Sequence, residues 1–173
     1  RSMELVKKEL QFFLDQKVPQ VKFVDRTFNC NEKHTMEIWQ YIKEHDNGIT
    51  NFHFVLSADI LTKKEIEYVR TFRDGLVQFE IGVQSTNPDT IQAIHRKMDL
   101  DRLKENVAMV HQERNIHQHL DLIAGLPYED LQSFHRSFND VYAMQPDQLQ
   151  LGFLKVLKGS PMHRMAKEYG IQY

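Results

Sequence analysis

One cysteine occurs in 173 residues. A lone thiol excludes an internal disulfide, fits a reducing compartment, and cannot by itself build a site that needs several thiolate ligands. Proline and glycine are also sparse, at five and seven residues. No low-complexity tract, linker or block of like charge interrupts the chain. No apolar run approaches the roughly 20 residues of a bilayer span. No secretory leader is visible, because Met3–Asp15 mixes Lys and Glu among its apolar positions. A net charge of −2 and a pI near 6.5 give no electrostatic reason to expect nucleic acid or an anionic membrane. These absences predict a cytoplasmic protein. What is present is ordinary for a globular chain: 41% hydrophobic and 27% charged residues, enough for a single domain over residues 1–173 with a sizeable core.

Short apolar runs alternate with helical patterns. Met3–Asp15 carries Leu5, Val6, Leu10, Phe13 and Leu14 at helical spacing. Gln20–Asp25 reads as a strand and Lys33–His45 as a helix. Phe52–Leu56 reads as a strand ended by Ser57. Thr62–Phe72 reads as a helix opened by Thr62 with Glu65 three residues on, the capping-box pattern. Leu76–Gln84 is the next strand, and Asn87 before Pro88 opens the helix that follows. A further helix is expected over Leu100–Arg114, a strand over His119–Ala124, and a helix carrying Leu131, Phe134, Phe138 and Val141. Gln148–Val156 is the last strand, and a final helical start follows Pro161.

Strand–helix alternation at this spacing implies a parallel sheet with right-handed crossovers, in which ligand groups gather at the C-terminal strand ends. The sequence places Asp25–Arg26–Thr27, Ser57, Gln84–Ser85, Asp121 and Lys155 there. Five strands are too few for an eight-stranded barrel, so a partial barrel or an open sheet is expected. The densest signal is Phe79–Lys97, a strand running into a capped helix. Gln84 and Ser85 stand at its strand end and Arg96 twelve residues beyond Gln84.

Glu80–Ile81–Gly82–Val83–Gln84–Ser85, then Arg96, then Asp121–Leu122–Ile123–Ala124–Gly125–Leu126–Pro127, then Gly159–Ser160–Pro161, resembles the radical S-adenosylmethionine (radical SAM) enzymes. The likeness is greatest to the subgroup holding oxygen-independent coproporphyrinogen oxidase and the cobalamin-binding-domain members. With Phe23–Asn29, these elements cover most of Val21–Met162. The resemblance implies a six-stranded partial (β/α) TIM-like barrel. It also implies a Cys-x-x-x-Cys-x-x-Cys loop after the first strand that holds a [4Fe–4S] cluster, and a 5′-deoxyadenosyl radical made from S-adenosylmethionine. No such loop occurs in this sequence. The five strands therefore correspond to the family's second to sixth, and the chain reads as a truncated core. Its cluster, and in cobalamin-type relatives a cobalamin, would belong to a longer parent. As a fragment it is expected to be inactive.

By resemblance, Gln84 and Asp121 should hydrogen-bond the ribose of S-adenosylmethionine, and Arg96 should face its methionine carboxylate, where a planar guanidinium suits bidentate pairing. Asp25, Arg26 and Thr27 occupy the strand end that receives the methionine amino group in the family. That segment is commonly Gly-Gly-Glu, and this chain departs from it. Glu80 shares the parity of Gly82 and Gln84, so it should line the barrel below the cofactor. Taken without the motifs, Gln84, Asp121 and Arg96 are ordinary polar groups, and Lys97 is a solvated residue near a helix end. Cys30 reads as a small half-buried residue rather than a cluster ligand. His117, His119 and Asp121 share one strand face, which admits a second reading as a metal-dependent barrel enzyme. A third reading is a non-catalytic, degenerate barrel module. The absent first strand predicts an exposed edge at Gln20–Asp25 and a tendency to self-associate. The substrate is not legible.

Overall fold

The structure, a computed structural model, describes residues 2–172. Five parallel strands form a curled half-barrel with helices on its outer side. The strands are β1 (Gln20–Lys22), β2 (Asn51–Leu56), β3 (Val77–Gln84), β4 (His117–Ala124) and β5 (Gln148–Phe153), and they lie side by side in chain order. The helices are α1 (Met3–Asp15), α2 (Glu32–Glu44), α3 (Lys63–Val69), α4 (Pro88–Ala93), α5 (Leu100–His111), α6 (Leu131–Tyr142) and α7 (Pro161–Met165). Short 3-10 turns at Phe28–Cys30 and Ala58–Ile60 complete the order. Among the described residues no helix is long and apolar enough to cross a membrane.

Strand alternation divides the sheet into two faces. Phe52, Phe54, Leu56, Val77, Phe79, Ile81, Val83, Leu120 and Leu122 are buried toward the helices. There they meet Trp39, Ile38 and Ile42 of α2, Ile66 and Val69 of α3, and Leu103, Val107 and Val110 of α5. Phe54 sits at the centre of an aromatic cluster, 4.5 Å from Phe23, 4.3 Å from Phe28 and 6.2 Å from Trp39 between ring centroids. Residues of opposite parity, among them His53, Gln78, Glu80, Gly82, Gln84, His119 and Asp121, face the inside of the half-barrel.

Local signals explain most element ends. The capping box at Thr62 forms as the sequence predicts: the Thr62 amide donates to Glu65 Oε2 at 2.8 Å and Glu65 N–H donates to Thr62 Oγ1 at 3.3 Å. The helix it opens stops at Val69 rather than Phe72, because Thr71 and Phe72 bond back three residues to Tyr68 and Val69. The helix expected over Leu100–Arg114 ends at His111, and Arg114 adopts a left-handed φ of 55°.

The first strand is shorter than expected. Phe23 N–H still donates to His53 O at 2.9 Å, but the ladder then ends and Val24 is 92% exposed. Phe23 turns instead to stack on Phe54. The last strand likewise stops at Phe153. The sheet is open, with β1 and β5 as its edges. β1 is therefore the edge the sequence anticipated, though it is only three residues long.

Candidate cofactor site at the C-terminal ends of β3 and β4

The site is built on an irregularity in β3. Register with β4 runs regularly from Gln78↔His117 to Gly82↔Asp121, then shifts so that Gln84 pairs with Leu122. This is a β-bulge, a device that re-aims a side chain at the end of a strand. Gln84 takes it up with a φ of 72°, a left-handed conformation that costs a non-glycine residue roughly 1–2 kcal/mol. The turn folds the Gln84 amide back over Gly82. A Cβ at position 82 would overlap Gln84 Nε2, the end of a flexible side chain, and lie at an ordinary 3.8 Å from Arg96 Nη2, so a larger residue here would push the Gln84 amide off Gly82.

Beyond the bulge the chain is tied down. The Ser85 hydroxyl donates to Glu129 Oε1 at 2.6 Å and accepts from Asn87 N–H at 3.0 Å. The Asn87 side chain caps α4 by accepting from Asp89 N–H, and its amide donates to Tyr128 O at 2.9 Å. With Pro88 at the first helical position, the start of α4 is the one expected from sequence.

Its end is not. α4 has six residues and closes in a Schellman motif: His95 is left-handed at φ 54°, His95 N–H donates to Gln92 O and Arg96 N–H donates to Ile91 O, both at 3.0 Å. Arg96 and Lys97 therefore lie in the connection to α5 rather than on a helix. That reversal returns Arg96 to β3, where Nη2 donates to Gly82 O. Lys97 stays exposed.

Gly82 is thus the meeting point of the three residues singled out by the motifs. Gln84 and Arg96 close over it, and Asp121 stands beside it on β4. Two of their polar atoms, Gln84 Oε1 and Arg96 Nε, are buried without a hydrogen-bond partner among the described residues, while Asp121 Oδ1 lies 3.0 Å from His119 Nε2. Native interiors rarely leave such groups unsatisfied, so two at one place beside a carboxylate mark a cradle for a polar ligand. Burial pushes the Arg96 pKa down from its ordinary value, and the nearby Asp59 carboxylate opposes the change. A guanidinium keeps its proton regardless. Burial also raises the Asp121 carboxyl, with His119 opposing, Glu80 raising it further and Lys22 opposing.

Glu80 faces inward, as its parity predicted, and below this cradle it is the centre of a charged hub that the sequence did not show. Glu80 Oε2 accepts from Lys22 Nζ at 2.7 Å and lies 2.8 Å from His53 Nε2. Burial pulls the Glu80 pKa upward, but the Lys22 hydrogen bond and the charges of Lys22, His53 and His119 outweigh it and hold it below the usual value. His53 is depressed by burial and by Lys22, against the pull of Glu80. The Gln78 amide donates to His53 Nδ1 at 2.9 Å, which leaves the imidazole proton on Nε2, facing Glu80.

The other expected residues do not converge on Gly82. Asp25 and Arg26 are exposed and Thr27 is half-buried, in the loop after β1. Among the described residues no hydrogen bond or ion pair joins them to Gln84, Arg96 or Asp121. Ser57 donates to Asp59 Oδ1 at 2.6 Å and exchanges backbone bonds with the Asn29 amide at 2.9 and 3.0 Å, a structural role. Lys155 is exposed. Cys30 is exposed rather than half-buried. His117 is exposed, and no group of three or more His, Cys, Asp or Glu side chains among the described residues is arranged to hold a metal ion. Sequence reasoning missed His53, Gln78 and Asp59. Their parity on β2 and β3 was readable for the first two, but their partners depend on strand register.

Against known proteins, a family model for the radical SAM superfamily matches residues 1–141. The chain belongs to the radical SAM superfamily. Among curated relatives of this radical SAM chain is the oxygen-independent coproporphyrinogen-III oxidase-like protein HemZ of Bacillus subtilis. It is 26% identical over 171 residues, covering 78% of this chain and 34% of HemZ. Among solved structures, coproporphyrinogen III oxidase (HemN) from Escherichia coli aligns with a TM-score of 0.67 at 17% identity, over 91% of this chain and 39% of HemN. The methyltransferase TsrM from Kitasatospora setae, solved with cobalamin and a [4Fe–4S] cluster, aligns with a TM-score of 0.81 at 14% identity, over 97% of this chain and 34% of TsrM. The chain thus spans about a third of the length of HemZ and TsrM. These likenesses bear out the partial TIM-like barrel expected from sequence.

The donor set fits one half of what the family uses. An amide, a guanidinium and a carboxylate with open bonding positions suit a nucleoside joined to an amino acid. A single exposed cysteine does not supply the three thiolates of a [4Fe–4S] site.

Proposed function

We propose that this chain is the S-adenosylmethionine-binding portion of a longer radical SAM enzyme. The observation that carries the reading is the cradle around Gly82, where unpartnered buried atoms of Gln84 and Arg96 meet the carboxylate of Asp121, the three residues that the motifs assign to the cofactor. In this reading Gln84 and Asp121 bind the ribose hydroxyls, and Arg96 pairs with the methionine carboxylate. Arg96 already donates through Nη2 to Gly82 O, which fixes the plane of the guanidinium, and its Nε has no partner among the described residues. Glu80 lies one layer deeper, held by Lys22 and His53, and forms the polar floor beneath the cofactor.

When bound, S-adenosylmethionine and a cluster supplied from outside this sequence provide the 5′-deoxyadenosyl radical. This chain's own residues orient the cofactor and keep its ribose from water. Asp25, Arg26 and Thr27 stand at the strand end proposed to receive the methionine amino group, in a loop whose exposure leaves it free to rearrange. Neither the porphyrin chemistry of coproporphyrinogen oxidase nor the cobalamin of TsrM is assigned here.

The test is anaerobic reconstitution of the full-length protein with iron and sulfide, followed by reduction in the presence of S-adenosylmethionine. The reading predicts 5′-deoxyadenosine as product. A full-length sequence without a three-cysteine loop, or a reconstituted protein that yields none, would overturn it.

A further inference from the structure

The cofactor reading leaves one buried pair unused. His119 is 9% exposed, faces the inside of the half-barrel, and sits two residues before Asp121 on the same side of β4. Its Nε2 lies 3.0 Å from Asp121 Oδ1. Both atoms are buried and neither makes an aligned hydrogen bond among the described residues, so the contact between them is an ion-pair approach for which nothing else competes. The Asp121 side chain keeps 16% exposure although Oδ1 itself is sealed, so that exposure belongs to its other atoms.

We propose that His119 is a positioning residue for Asp121: it holds the buried Oδ1 from below and leaves the accessible part of the carboxylate to receive the ribose hydroxyls. The inference rests on the assignment of Asp121 to the ribose and adds the residue that keeps the carboxylate ionised and aimed.

The surroundings make such support necessary. Burial favours the protonated acid, and Glu80, in register with His119 on β3, adds a second negative charge. Lys22 from β1 opposes them but is already bonded to Glu80. His53 of β2 is committed to Glu80 and Gln78. β5 contributes Gln148 beside His119 and Gln150 beside Asp121, both uncharged. His119 is thus the one cationisable group in direct contact with the Asp121 carboxylate among the described residues. A neutral carboxylic acid would have one oxygen committed as a donor and would accept the diol less well.

Two measurements on the full chain decide it. The first follows the Asp121 carboxyl by carbon-13 NMR through a pH titration, in the wild type, His119→Ala and His119→Gln. The proposal predicts a midpoint that moves up in His119→Ala, with His119→Gln in between because it keeps a donor and loses the charge. Should the alanine variant fail to fold, the glutamine variant carries the comparison. A midpoint that stays put in a folded variant overturns the proposal.

The second compares binding of adenosine and 2′,3′-dideoxyadenosine by ligand-observed NMR. The wild type should prefer adenosine, and both His119→Ala and Asp121→Asn should lose that preference by about tenfold, the loss expected for a charged hydrogen bond. Equal weakening of both nucleosides in His119→Ala would show a merely structural role and overturn the proposal. If Asp121→Asn loses the preference and His119→Ala keeps it, positioning fails while the ribose assignment stands. If the wild type has no preference, or Asp121→Asn retains it, the ribose assignment itself fails and the positioning role falls with it.

Discussion

On β3, Val77, Phe79, Ile81 and Val83 are buried against helices, while Gln78, Glu80, Gly82 and Gln84 face the inside of the half-barrel. The two rows alternate along one backbone yet obey different rules. The helix-side row is apolar, close-packed and regular. The inner row is polar, contains the bulge and the left-handed residue, and leaves buried groups unpartnered. Stability is concentrated on one side of the sheet and ligand chemistry on the other. Interleaving at every second residue lets the packed row hold the strained row in place.

Substitutions that respect or violate this division should separate stability from binding. The largest effect is expected from Phe54→Ala, which opens the centre of the aromatic cluster. It should destabilise by about 3–5 kcal/mol in denaturant unfolding. A loss under about 1 kcal/mol would show that the helix-side row is not the main store of stability. Gly82→Ala strikes the inner row where backbone and side chain meet. It should cost about 1 kcal/mol, because the added Cβ displaces the flexible end of Gln84 while Arg96 stays at ordinary contact distance. Binding of S-adenosylmethionine to the reconstituted full-length protein should be lost with it.

Glu80→Gln removes the hub charge and should cost about 1 kcal/mol, since Lys22 is half exposed and water replaces part of what is lost. Acid sensitivity follows the same hub. The folded His53 pKa lies below the ordinary 6.5, so the unfolded chain takes up that proton first and stability falls as pH drops through about 6.5. The folded Glu80 pKa lies below 4.5, so its contribution is complete above that value and lost as pH falls through the folded one. Asp121 is raised and acts in the opposite sense. Unfolding midpoints at pH 7.5 and pH 5 should therefore differ in the wild type and draw together in His53→Gln. The smallest effect on stability belongs to Gln84→Gly. Relief of the left-handed strain, offset by the flexibility of glycine, should leave stability within about 0.5 kcal/mol of the wild type or slightly above it. That variant should nonetheless bind the cofactor more weakly.

Most of the architecture was legible because it rests on local chemistry. The five strands, the Thr62 capping box and the Asn87–Pro88 start of α4 follow from patterns within a few residues. The grouping of Gln84, Arg96 and Asp121 came instead from the resemblance of their ordered motifs to the radical SAM family. The early end of β1 was not legible, because Phe23 leaves the ladder for an aromatic contact with Phe54, a residue 31 positions away. The bulge at Gln84 depends on pairing with β4. The left-handed turn at His95, which carries Arg96 back to Gly82, has no glycine to announce it. The Glu80 hub joins three strands through lateral register, which period-2 alternation alone leaves open.

The most direct test of the central claim is the S-adenosylmethionine dependence of 5′-deoxyadenosine formation by the reconstituted full-length protein, measured for the wild type, Gln84→Gly and Asp121→Asn. Loss of hydrogen bonds to the ribose should raise the KM for S-adenosylmethionine by roughly tenfold or more in each variant, with unfolding midpoints close to the wild type. Unchanged KM values in folded variants would contradict the assignment of this cradle to the cofactor.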